Sequence, residues 1–223
     1  MSTTPLLPQA FWFRLSVPCR RVDDVPKPSG KRRLELSDDC LLPRTALLDG
    51  KKPWATVRVA WNPRGLAVEV VAEGSLDALG NDDRPEAQYG VQVWVDTRDT
   101  RDVSRATRFC HRFDARLVGG KGREPLGVTI QAKPIARAVA DAPLAPPESL
   151  MANAEKLPKG WRVELFLTAA ALSGFDPETN RRLGFAYHVS DPDREGQFLG
   201  VGREFPVGEN PSLWSTLELR DPQ

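Results

Sequence analysis

The stretch QVWVDTRDTRDVSRATRFCHRFD (92–114) interleaves three aspartates, Asp96, Asp99 and Asp102, with arginines and then reaches His111, one of two histidines in the chain. A calcium loop of the EF-hand kind sets oxygen ligands at every second position and needs a glycine at its sharp turn. Here the acidic spacing is three, no glycine follows, and guanidinium groups stand among the carboxylates. That pattern predicts a solvated turn in which Asp and Arg pair across the loop, each exposed pair contributing about 0–1 kcal/mol. Asp96 stands apart, because it closes a strand and is placed to act as a cation ligand or as an acceptor for a sugar hydroxyl. Zinc is poorly served. Cys110 and His111 are adjacent on a strand and so face opposite sides, and the chain has no Cys-x-x-Cys or His-x-x-x-His pair.

A second constellation comes from the even-numbered residues of the strands. Gln92, Trp94, Arg108, Arg112, Arg162, Glu164 and His188 fall on the side opposite the apolar stripe of their segments. Carbohydrate recognition needs an aromatic plate for the C–H face of a pyranose, and planar polar groups that pair with vicinal hydroxyls. Trp94, Asp96, Arg112, Glu164 and His188 are therefore the candidate ligand-binding set, with a polar sheet exterior as the alternative. His111 shares a side with Phe109 and Phe113 and reads as a packed boundary histidine. A glycosidase needs two carboxyl groups about 5–10 Å apart, and Glu164, Asp191, Asp193 and Glu195 are the residues to weigh. No Gly-x-Ser-x-Gly elbow occurs, and GGKG (119–122) lacks the length and ending of a phosphate loop.

The elements that must position these groups are strands. Val57, Val59 and Trp61 alternate with Thr56, Arg58 and Ala60, and Asn62-Pro63-Arg64-Gly65 turns the chain into LAVEVVAE, a hairpin pattern. Period-two runs follow at 89–96, 108–113, 161–168, 183–190 and 214–219. Only TAAALS (168–173) favours helix, and Gly174 limits it to about one turn. FWFRLSVP (11–18) alternates enough for an outer strand, and 115–158, with the Pro-rich DAPLAPPESL (141–150), reads as a long covering loop. Trp61, Trp161 and Trp214 are expected in the core, while Trp12 and Trp54 flank strand starts. The whole predicts a single all-β domain over 1–223, a two-sheet antiparallel β-sandwich of jelly-roll-like type with one short helical turn. Residues 1–50 supply an N-terminal strand and capping segment.

Composition narrows the function. With 31 basic and 30 acidic side chains the net charge is +1, so no long-range field draws the chain to nucleic acid or an anionic membrane. MSTTPLLPQAFWFRLSVP is interrupted by Pro5, Pro8 and Arg14 and fits neither a signal peptide nor a membrane span. Three widely spaced cysteines, Cys19, Cys40 and Cys110, suit a reduced, cytoplasmic setting.

The order GWRVELFLTAAALSGFDPE, RLGFAYHVSDPDREGQ and PSLWSTLEL, with YGVQVWVDTRDT upstream, resembles family 9 carbohydrate-binding modules and the wider DOMON-like sandwich group, over roughly 54–220. The resemblance implies a non-catalytic sandwich that binds a saccharide, often with a structural calcium ion. Two departures stand out: no attached catalytic domain is evident, and the family's paired loop tryptophans have no placed counterpart. The DOMON-like side of the resemblance implies haem as a further ligand, with Met1, Met151, His111 and His188 the only axial candidates. A protein-interaction or scaffold sandwich, docking a partner through its edge or through 141–150, is the alternative function.

Overall fold

The structure of the chain, a computed structural model, describes residues 7–25, 33–79, 88–119 and 124–222. Its strands are β1 (Ser16–Arg21), β2 (Ala55–Asn62), β3 (Gly65–Glu73), β4 (Gly90–Asp96), β5 (Cys110–Gly119), β6 (Leu126–Lys133), β7 (Leu150–Leu157), β8 (Gly160–Thr168), β9 (Arg182–Ser190), β10 (Gln197–Phe198) and β11 (Ser215–Arg220). Helical structure among these residues is confined to short 3-10 turns, including Ala169–Ala171 where TAAALS predicts one.

The strands hydrogen-bond in the order β6-β5-β4-β9-β11-β1-β2-β3-β8-β7, with β10 added to β9. This one sheet folds over on itself, and β6 and β7 at its two ends lie against each other, so it closes nearly into a barrel. The two packed halves of the expected sandwich are β6-β5-β4-β9-β11 and β2-β3-β8-β7. The strand joining them is β1, parallel to both β11 and β2, whereas the other pairings are antiparallel. FWFRLSVP therefore does not supply an outer strand. Its first half forms the 3-10 turn Gln9–Trp12, and its second half enters the middle of the sheet with Val17 and Cys19 buried.

Period two explains the layers. Val57, Val59 and Trp61 on β2, Val91, Val93 and Val95 on β4, Val163 and Leu165 on β8 and Phe185 and Tyr187 on β9 point inward to one core. Trp61 and Trp161 are among its largest fully buried side chains, and truncating either to alanine would cost about 3–5 kcal/mol. The β2–β3 hairpin turns through Pro63 and Arg64, with Asn62 paired to Gly65. Gly65 has φ +149°, and a Cβ there would meet the Leu167 carbonyl oxygen at 2.1 Å, so only glycine lets β3 pass this close to β8. Two smaller apolar clusters lie on the outsides. Trp94, Ala106, Cys110, Ile135, Ala186, Val207 and Trp214 sit on the first half, and Val25, Leu34, Leu36, Cys40, Ala60, Ala67 and Phe166 on the second.

Candidate functional site

The outer side of the first half carries a row of polar residues in register, one per strand. Asp114 on β5 is paired with Gln92 on β4, and Gln92 with His188 on β9. Asp114 is an acceptor only, so the Gln92 amide must turn its NH₂ toward it, and Nε2 donates to Oδ1 at 3.3 Å. The Gln92 carbonyl oxygen then faces His188 and accepts from Nδ1 at 3.0 Å, which sets the Nδ1–H tautomer. Burial, helped by the Arg203 guanidinium, lowers the His188 pKa to about 4 against the opposing pull of Asp114. The ring is neutral at pH 7, with Nε2 a lone-pair acceptor that is buried and without a partner. It presses so closely on the chain that a Cβ at Gly196 would meet Nε2 at 2.2 Å.

Phe198 extends the row from His188, and Arg112, paired with Trp94, stands beside it. Arg112 grips Asp114 through Nε and a terminal nitrogen, both at 2.8 Å, while its guanidinium lies 5.9 Å from the Trp94 ring centre. Phe198 stacks on His188 with centroids 4.3 Å apart and planes 8° from parallel. The neighbouring Gln197 fixes Phe198 in place. Its amide accepts from the N–H groups of Trp54 and Ala55 and donates to the Ala55 carbonyl and the Tyr187 hydroxyl. Gln92, Arg112, His188 and Phe198 line an open depression of about 460 Å³, walled by Arg203, Phe205, Pro206 and Glu209.

Trp94 takes a different position from the one its spacing suggests. It is 3% exposed, packed under Val207 and Gly208, with Nε1 unpartnered. It is the apolar underlayer of the depression rather than an open plate; the rings that reach its surface are Phe198 and Phe205.

The remaining candidates separate. Asp96 lies on the same side but is 1% exposed, and its two oxygens accept from the Arg98 and Thr100 N–H groups at 2.9 and 2.6 Å. Asp99, at φ 49°, accepts from Thr216 at 2.7 Å and pairs with Arg101 and Arg182. The Asp/Arg loop is thus paired, as its spacing predicts, but through Asp99 turned into the protein rather than into solvent. Among the described residues no group of three or more His, Cys, Asp or Glu could hold a metal ion, and Asp96 is committed to its own loop.

Glu164 is not brought to Trp94 and Arg112. It occupies the outer side of the other half, where Arg58, Glu69, Glu164 and Asn153 form a second row in register across β2, β3, β8 and β7. There it is 1% exposed and accepts from the Leu34 N–H at 3.0 Å and from Asn153 at 3.3 Å. Asp191, Asp193 and Glu195 are engaged elsewhere, by Arg194, Tyr89 and Lys51. Arg108 lies before β5 with its guanidinium over Phe109, and Arg162 pairs with Glu155. His111 is buried, its Nε2 3.1 Å from the Ser173 carbonyl, and burial lowers its pKa. Of the haem candidates, Met151 packs on the second half, away from His188 on the first, and Met1 lies outside the described residues. The 134–149 segment exposes Val139 and Leu144. No helix among the described residues is long and apolar enough to cross a membrane.

Asp114, Phe198, Arg203 and Phe205 are the site residues that sequence reasoning missed. Asp114 is in phase with Arg112 two positions on, a signal present in the sequence; the other three depend on how 197–209 folds back over β9.

No protein-family model matches the chain, and no curated protein is similar to it at a significant level. Solved structures do resemble it. One is a carbohydrate binding module of family 9 from Caldicellulosiruptor kristjanssonii in complex with cellotriose, with TM-score 0.59 and 16% identity, covering 93% of this chain and 95% of that one. Another, a family 9 module from the same organism in complex with glucose, gives TM-score 0.58 and 16% identity over 93% and 97%. The chain has the fold of these modules along nearly its whole length.

Proposed function

We propose that this chain is a non-catalytic saccharide-binding module, with its site in the depression on the outer side of β4, β5 and β9. The observation that carries the reading is the register row Asp114–Gln92–His188, of which Gln92 and His188 line the depression together with Arg112 and the Phe198 and Phe205 rings. A pyranose presents an apolar C–H face and an equatorial belt of hydroxyls. The phenyl rings suit the first, and the Arg112 guanidinium and Gln92 amide, both planar and pre-oriented by Asp114, suit the second. Orientation is fixed before a ligand arrives, which lowers the entropy cost of binding. The likeness to modules that hold cellotriose and glucose supports this choice of ligand class. The carboxylates of the region orient donors instead of flanking a scissile bond, consistent with binding without chemistry.

Titration calorimetry with glucose, cellotriose and a panel of other mono- and oligosaccharides at millimolar concentration tests the reading. The folded wild type gives heat with at least one sugar, and Gln92→Ala loses it while keeping its melting temperature. A folded protein silent to the entire panel rejects the function and leaves the fold.

A further inference from the structure

Five large apolar side chains, Phe11, Trp12, Phe13, Leu47 and Leu48, are between 40% and 66% exposed. They come from two short segments, the 3-10 turn Gln9–Trp12 with the following Phe13 and the 3-10 turn Thr45–Asp49, which pack together and are tied by the Gln9 N–H donating to Asp49. The fold does not need them on the surface, and a contiguous apolar patch of this kind marks a contact site. The patch borders a groove of about 600 Å³ whose far wall is Val201, Leu213 and Trp214.

Phe205 is where this groove meets the depression of the proposed saccharide site. Its ring lines the depression and stacks on Phe11, with centroids 4.8 Å apart and planes 14° from parallel. Trp12 stands edge-on to Phe11, 5.8 Å away at 80°, and at 66% exposure its indole faces are free. Arg14, Ser16 and Ser212 add polar groups to the groove margin. Aromatic faces alternating with hydrogen-bonding groups fit a chain of sugar rings. An acyl chain would leave the polar margin unused.

Resting on the saccharide reading above, we propose that the ligand is a chain rather than a single sugar: its first rings occupy the depression, and its further rings pass Phe205 onto the Phe11–Phe13 turn, with Trp12 as the distal plate. The site then selects for polymer length through aromatic contacts that a monosaccharide never reaches.

The test is calorimetry of the full chain with glucose, cellotriose and cellohexaose, for the wild type, Trp12→Ala and Arg112→Ala, each checked for an unchanged melting temperature. Cellohexaose is expected to bind the wild type about tenfold more tightly than glucose, the gain of about one aromatic contact. Trp12→Ala should collapse that ratio, whereas Arg112→Ala should weaken all three sugars together. If the wild type binds sugars with no length dependence, or Trp12→Ala keeps the ratio, the extension is overturned and the depression alone is the site. Silence toward all three sugars overturns the extension, and silence toward the wider panel as well overturns the reading it rests on. Vesicles of phosphatidylcholine and phosphatidylglycerol form a further arm; their capture through Trp12, without any length effect on sugar affinity, makes the patch a lipid contact and overturns the proposal.

Discussion

The two outer sides of the folded sheet are built alike and end differently. Each carries a row of polar residues in strand register: Asp114–Gln92–His188 on one half and Arg58–Glu69–Glu164–Asn153 on the other. On the second half the segment around Leu34, Leu36 and Cys40 lies over the sheet, and its Leu34 N–H closes the row by donating to Glu164. Arg58 reaches Glu69 at 3.2 Å from beneath the same cover. On the first half the covering chain, 199–214, seals Trp94 but stops short of Gln92, Arg112 and Phe198, which line open space. The lesson is that a polar row on a strand is a site or a structural clamp according to what the crossing segment leaves uncovered. Residue type does not decide it.

The largest effect should come from breaking the sealed row. Glu164→Ala removes the acceptor for the Leu34 N–H and the Asn153 amide and leaves both donors unpaired under the cover, so the loss of two hydrogen bonds to a carboxylate should cost about 3–5 kcal/mol of stability. Denaturant unfolding measures this, and sugar affinity of the folded fraction should not move. A loss below about 1 kcal/mol would mean that the second row is as open as the first.

Acidification comes next and strikes the open row. His188 has its folded pKa lowered to about 4 by burial and by Arg203, against an ordinary value of 6.5. Between those values the unfolded state binds more protons than the folded one, so stability is full above the unfolded pKa and falls as pH drops toward 4, by roughly 3 kcal/mol. His111, lowered by burial, adds in the same direction. His188→Gln should flatten the slope of melting temperature against pH between 6.5 and 4; an unchanged slope would mean that His188 charges freely in the folded protein.

Removing Arg112 acts on binding more than on stability. Arg112→Ala should weaken sugar binding about tenfold, near 1.4 kcal/mol, because Asp114 and Gln92 lose their fixed orientation together with the donor itself. The smallest effect concerns the cysteines. All three are free and buried, and burial pushes the Cys110 thiol up to about 11 and the Cys19 thiol up as well. A thiol-reactive disulfide reagent should find none of them at pH 8 until the chain unfolds. Rapid labelling of Cys40 alone would show that the cover over the second half opens.

The sequence shows the strands far better than their order. Alternation of Val, Leu and Phe with polar residues marks β2, β3, β4, β8, β9 and β11, because each has one side in the common core. The strands β6 and β7 are hidden inside what reads as a covering loop, since edge strands such as LGVTIQAK and LMANAEKL are only half-buried and alternate weakly. Period two places Glu164 on an outward side correctly but cannot say that the molecule has two such sides, and so it groups Glu164 with Trp94. The same limit applies to Trp94 itself, whose burial depends on Val207 and Gly208, more than a hundred positions away in the chain. Period two puts Gln92, Arg112 and His188 on one outer side, and the pairing of β5, β4 and β9 brings them together, with Arg112 opposite Trp94 two residues along from the Gln92–His188 pair.

The most direct test of the account is chemical-shift mapping of the ¹⁵N-labelled chain during titration with cellotriose. The account predicts shifts confined to Gln92, Arg112, His188, Phe198, Arg203 and Phe205 and their neighbours, with Leu34, Asn153 and Glu164 unmoved. Shifts centred on the sealed row, or on neither row while binding occurs, would contradict it.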